Sequence, residues 1–165
     1  MDNLASAPWT LTLNKAGLAE GTTTTFSTTA NPLLYAIKSK AYSLATKTNA
    51  TTPTTDARTG AAFVSVPANY GSVFVWGVAA AGTVKVYQGG VEKLDGAADG
   101  ADAKFIIAPQ LPPIPDDVAI FAYTVVKVGA SGSAFSFGSV ALKSASNVGV
   151  AHQDVIALPE RPQVA

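Results

Sequence analysis

The segment Asp95-Gly-Ala-Ala-Asp99-Gly-Ala-Asp102 places three carboxylates in a glycine-permitted loop, the raw material of a calcium site. Calcium coordination also needs a closing bidentate carboxylate. No glutamate follows at EF-hand spacing, so a solvated turn is the expected role. Asp116 and Asp117, directly after Pro115, form a second carboxylate pair that could serve acid–base chemistry. Proline followed by aspartate is also the ordinary composition of a β-turn leading into a strand, and no base, nucleophile or oxyanion element can be named beside it. His152 is the only histidine, which rules out a metal held by several imidazoles. A catalytic triad would need partners that the sequence does not advertise, so His152 is expected as a partly buried strand residue. Gln88-Gly89-Gly90 and Gly129-Ala-Ser-Gly132 match neither a phosphate-binding loop nor a dinucleotide fingerprint and read as turns. No catalytic residue, metal or cofactor is therefore expected.

These residues must be positioned by a chain of 165 residues, long enough for one domain with a real core. Hydrophobic residues make up 48% of it and charged residues only 13%, against roughly 25% in an ordinary globular domain. Less of the surface is defended by charge than usual, as suits a member of an assembly. Eleven basic and eleven acidic residues cancel without strong clustering, so neither nucleic acid nor an anionic membrane is an expected partner. No apolar run approaches the ~20 residues of a membrane span. With no cysteine, stability must come from packing or oligomerisation. The N-terminus lacks a basic and then apolar leader, which predicts synthesis in the cytosol.

Periodicity predicts an all-β, antiparallel sandwich or barrel of about eight to ten short strands. Trp9, Leu11 and Leu13 alternate with Thr10 and Thr12, as in a half-buried strand, so residues 1–21 read as an N-terminal arm or edge strand with Trp9 packed on a neighbour, or equally as an ordinary first core strand with Trp9 packed on its own chain. Thr22 to Thr29 is β-branched and weak. Leu33, Tyr35 and Ile37 lead through Lys38-Ser39-Lys40 to Tyr42 and Leu44, a first hairpin. Residues 46–60 offer no large apolar side chain and read as a long surface loop.

A short strand is expected at Phe63 to Val66. Val73 to Val78 is apolar on both faces, and after Ala80-Ala81-Gly82 the chain returns through Val84 and Val86 as a second hairpin. Residues 88–101 read as loop and Phe105-Ile106-Ile107 as a strand. Pro109 to Pro115 is stiff and cannot be central to a sheet. Val118 to Val128 is the longest strand, with Val118, Ile120, Ala122, Thr124 and Val126 on one face and Phe121, Tyr123 and Val125 on the other. Gly129 to Ser133 is expected to make a positive-φ turn, Phe135 and Phe137 to return, and Val148 and Val150 to follow with His152 in phase. The core domain spans 22–157, and residues 158–165, with Leu158-Pro-Glu-Arg-Pro162, form an exposed tail.

The block Pro113-Ile-Pro-Asp-Asp117, Ala122-Tyr-Thr-Val-Val-Lys127 and Phe135-Ser-Phe-Gly138 resembles a family of tailed-bacteriophage virion structural proteins. Tyr35-Ala-Ile-Lys-Ser-Lys-Ala-Tyr42, Pro53-Thr-Thr-Asp-Ala-Arg-Thr-Gly60 and Leu158-Pro-Glu-Arg-Pro162 are similar in order and placing, so the resemblance covers roughly residues 33 to 162. Relatives carry a glycine in the first hairpin where this chain has Lys38-Ser39, which leaves that turn type open. The resemblance implies a capsid decoration, or cement, protein: a non-enzymatic β-domain, often a homotrimer, that sits on the virion surface, binds the major capsid protein and clamps neighbouring capsomers. Under it, Trp9, Leu11 and Leu13 of the arm and Pro159, Arg161 and Pro162 of the tail are the expected contacts to the shell or to adjacent subunits. The alternative is a tail or fibre adhesion module for host carbohydrate, with Tyr70 and Tyr87 as the available aromatics; a virion-associated hydrolase would lack a nucleophile–base pair.

Overall fold

The structure is a computed structural model that describes residues 9–29, 32–159 and 162. Among them the chain forms strands β1 (Leu11–Thr12), β2 (Leu18–Glu20), β3 (Thr25–Thr28), β4 (Leu33–Ile37) and β5 (Lys40–Leu44) in its first part. The rest are β6 (Ala50–Thr51), β7 (Tyr70–Ala79), β8 (Val84–Lys93), β9 (Val118–Val128) and β10 (Val148–Asp154). The long strands make a four-stranded sheet in the order β10-β9-β7-β8. The short ones make two three-stranded sheets, β1-β4-β5 and β2-β3-β6. All pairings are antiparallel, and the sheets stack in a sandwich-like all-β fold that does not close into a barrel.

β9 is the axis of the molecule, and every one of its residues is buried. Its register with β7 slips between Trp76 and Gly77, which pair with Ala122 and Ile120 and leave Phe121 as the extra residue of a β-bulge. Strict alternation therefore fails here. Phe121 and Ala122 both join the core that contains Trp76, whereas Val118 and Ile120 before the bulge share the second core with Tyr123 and Val125 after it. A period-2 reading carries no signal for one inserted residue.

The first core is aromatic. Phe137 stacks on Phe74 at 4.0 Å and meets Trp76 edge-on at 5.7 Å, with Phe63 closing the cluster. The second face of β9 and β7 is covered by Phe105, Leu111, Ile114, Val155 and Leu158, so the chain supplies this cover itself. That demand explains the tail: Leu158 packs on the core and Pro162 is buried, and the described tail residues do not stand out as an exposed extension.

Several expected elements take other forms. Phe63 to Val66 is no strand: Val66 makes one bridge to Phe135, and the Gln88 amide pairs with both backbone groups of Val64, at 2.7 and 2.8 Å, in place of a neighbouring strand. Phe105 bridges Leu94 and packs against Gly71, while Ile106 and Ile107 are exposed, so that run forms no strand either. β8 continues through Gly89-Gly90 instead of turning there, because the proline segment lies on it: a Cβ on Gly89 would sit 2.5 Å from the Gln110 carbonyl.

The 46–60 loop holds β6 and a buried Asp56 whose carboxylate accepts from Arg58 N and Gln88 N, so it is stitched to β8. Gly129 to Ser133 does turn, with Gly132 N donating to Gly129 O, but positive φ falls on Asn147 before β10, which is the strand that returns along β9. Phe135 and Phe137 instead cross into the aromatic core. The first hairpin forms with φ of 48° at Lys38 and 64° at Ser39, the signature of a type I′ turn.

Candidate functional site

Among the described residues the N-terminal stretch contributes β1 at the edge of the small β1-β4-β5 sheet. β1 pairs with β4, and Ala16 is fully buried. Its facing is the reverse of what hydrophobicity suggests. Thr12 points inward, where its hydroxyl donates within reach of the Ile120 and Val155 carbonyls at 3.1 Å, while Trp9 and Leu13 are 48% and 52% exposed. A buried hydroxyl is tolerated because carbonyls of β9 and of the residue just after β10 stand ready to accept its proton. Thr10 similarly donates to Asp116 O at 2.7 Å, so the two threonines fasten β1 to the chain around β9 while Trp9 and Leu13 on either side of it stay exposed.

Leu13 N donates to Leu34 O at 2.8 Å, and the side chain of Leu34, directly across the ladder, is also exposed. Asn14 fixes this pairing by accepting from Leu34 N and donating to Pro32 O. On the other flank Thr12 N reaches Ile156 O, and Ile156 is more than half exposed. Between β1 and the tail lies a groove of about 210 Å³, walled by Leu11, Ile114, Ile156 and Leu158 with Asp116 at its side. The structure therefore brings Leu11 together with Ile156 to Leu158 in one groove, while Trp9 and Leu13 flank it in sequence as exposed residues. Pro159 adjoins it as a half-buried residue, Pro162 is buried, and Arg161 lies outside the described residues. Sequence reading missed Leu34 and Ile156. Leu34 alternates out of phase with the Leu33, Tyr35 and Ile37 core face and could have been found from that phase alone.

Two carboxylates of the 95–102 loop are occupied by structural hydrogen bonds. Asp95 accepts from Lys104 N and Ala97 N, which hold its carboxyl below the usual carboxylate range, and Asp99 accepts from Ala101 N. Among the described residues no three His, Asp or Glu side chains converge as metal ligands. Asp116 and Asp117 sit in the turn before β9, where Val118 N donates to Pro115 O. Tyr87 is 1% exposed and offers no ring to a sugar, and Tyr70 is partly buried against the first core.

One polar constellation was invisible in sequence. Trp76 Nε1 donates to Thr124 Oγ1 at 2.8 Å, Thr124 Oγ1 lies 2.8 Å from His152 Nδ1, and His152 Nε2 faces Glu20 Oε1 at 3.5 Å. Hydroxyl, imidazole and carboxylate stand in the order of a hydrolase triad. Thr124, however, is 0% exposed and engaged by Trp76, so a substrate carbonyl has no approach to it. What the relay does is join three strands of the main sheet to β2. The neighbouring Asp154 extends that seam by accepting from Gly17 N and Leu18 N.

No protein-family model matches the chain, and no curated protein or solved structure matches it.

Proposed function

We propose that this chain is a non-enzymatic virion structural protein that decorates a phage capsid, binding the major capsid protein between capsomers as a homotrimer and stabilising the shell from its outer surface. The observation that carries the reading is the outward apolar face of β1 and β4. A chain that folds Thr12 inward and leaves Trp9, Leu13 and Leu34 in solvent keeps a contact surface where its own core has no use for it. Low charge and the resemblance of the 113–138 block to tailed-phage virion proteins point the same way. Repetition over a shell converts weak single contacts into firm attachment. The carbohydrate-adhesion alternative has less to draw on, because Tyr87 is buried and Tyr70 is packed.

The test uses expanded shells of the parent phage stripped of this protein. The wild-type chain should run as a trimer by light scattering and co-sediment with shells. The triple variant Trp9→Thr, Leu13→Thr, Leu34→Thr should lose at least about tenfold in shell affinity with an unchanged circular dichroism spectrum. Wild-type protein that leaves the shells bare, or a triple variant that binds them as well as wild type, would overturn the reading.

A further inference from the structure

The hydrogen-bond count around Thr124 fixes the protonation state of the only histidine. Trp76 Nε1 can only donate, so it occupies a lone pair of Thr124 Oγ1. Among the described residues the hydroxyl proton then has one hydrogen-bond partner, His152 Nδ1, which accepts it. The imidazole is thereby neutral with its proton on Nε2, directed at the Glu20 carboxylate. The opposite tautomer would turn a nitrogen lone pair toward that carboxylate and leave the Thr124 hydroxyl proton with no acceptor in a fully buried position.

We propose that this relay is a proton-operated latch on the seam between β10 and β2, closed by a neutral His152 and released when that imidazole takes up a proton. The added proton goes to Nδ1 and turns it from acceptor to donor. Thr124 Oγ1 then receives two donors, and its own proton loses its partner inside the sheet. The orphaned Thr124 proton and the burial of the charge disfavour the closed geometry, so the imidazole leaves β9 toward solvent, and the register of Asp154 with Gly17 and Leu18 goes with it. The charged groups facing His152 are Glu20 from β2 and Asp154 from its own strand; β9 and β7 present only Thr124 and Trp76. Both carboxylates favour the cation, but burial outweighs them and pushes the imidazole below its ordinary value. The Nε2 proton that faces Glu20 at 3.5 Å is present in both protonation states, so the proton added at Nδ1 gains no acceptor there. The sign follows. The unfolded chain, with an imidazole near its ordinary 6.5, takes the proton before the folded one does. The contribution of the latch is therefore complete above that pH and is lost as pH falls below it.

Amide hydrogen exchange on the full chain tests this, with rates corrected for intrinsic chemistry. Between about pH 7.5 and about pH 5, protection at Gly17 and Leu18 should fall about tenfold while the β7 and β9 amides keep theirs. In His152→Gln, whose amide oxygen can still accept from Thr124, that pH dependence should vanish. Imidazole nitrogen shifts of the wild-type protein give a second readout that needs no variant and should report the Nε2–H tautomer at neutral pH. Equal protection at both pH values, loss of protection that persists in His152→Gln, or an Nδ1–H tautomer would each overturn the latch.

Discussion

The four-stranded sheet and the two small sheets are held together by different physics. β7 and β9 bury nearly every side chain on both faces, and their stability comes from apolar area removed from water. β1, β2, β3 and β6 contribute two to four residues each, too few to be held by burial alone. They hang on side-chain to backbone bonds: Thr10 to the turn before β9, Thr12 to β9, Asp154 to β2, and Thr28 and Ser27 to the backbone of Lys47 and Asn49. A platform fixed by burial can carry a lattice of polar fastenings whose outer side remains free to present Trp9, Leu13 and Leu34. The candidate contact surface lies on the lattice, not on the platform.

The hardest way to break this division is to empty the platform. Trp76 touches Phe26, Phe121 and Phe137 and donates to Thr124, so Trp76→Ala removes the centre of the aromatic core and leaves a buried hydroxyl short of a donor. The expected loss is about 3–5 kcal/mol, seen as a lower urea midpoint with a cooperative transition. A loss under about 1 kcal/mol would mean that the small sheets, not the long one, carry the stability.

A smaller effect is expected where a loop lies directly on the platform. Residues 95–102 lie against the backbone of β9 and β10, and a Cβ on Gly100 would sit 2.0 Å from Lys127 O and 2.5 Å from Gly149 N. Backbone atoms cannot step aside as a side chain can, so Gly100→Ala should cost about 1–3 kcal/mol. Denaturation of the variant beside Gly96→Ala separates close packing from backbone strain. Gly96 has a φ of +92° with nothing near its Cβ position. If only Gly96→Ala destabilised the protein, the close approach at Gly100 would carry no weight.

This difference also decides what could be read from sequence. Burial on two faces writes itself into composition, and Val73 to Val78 and Val118 to Val128 are legible because nearly every residue there is apolar. Polar fastening leaves no period. Thr12 looked like the wet side of a strand because nothing in the order of residues announces carbonyls of Ile120 and Val155 more than a hundred positions away. Gly89-Gly90 read as a turn because glycine serves a turn and a close approach equally well, and only the proline segment above it decides between them. The Thr124, His152 and Glu20 relay joins three separated strands, and its members were individually unremarkable. On the contact surface, Trp9, Leu11 and Leu13 were legible as an apolar set, but their exposure followed from where Thr12 was anchored.

The smallest effect sharpens the comparison most. If the outer side of the lattice is free of any duty in folding, the triple variant Trp9→Thr, Leu13→Thr, Leu34→Thr should unfold within about 1 kcal/mol of wild type, because half-exposed side chains surrender little burial and threonine keeps the strand preference. The residues that hold β1, Thr10, Thr12 and Asn14, are untouched in this variant, so the strand should stay in register with β4. A drop comparable to that of Trp76→Ala would show these side chains to be core in disguise, and lost shell binding would then report unfolding instead of a lost contact. Near-wild-type stability assigns the same three side chains to what lies outside the chain.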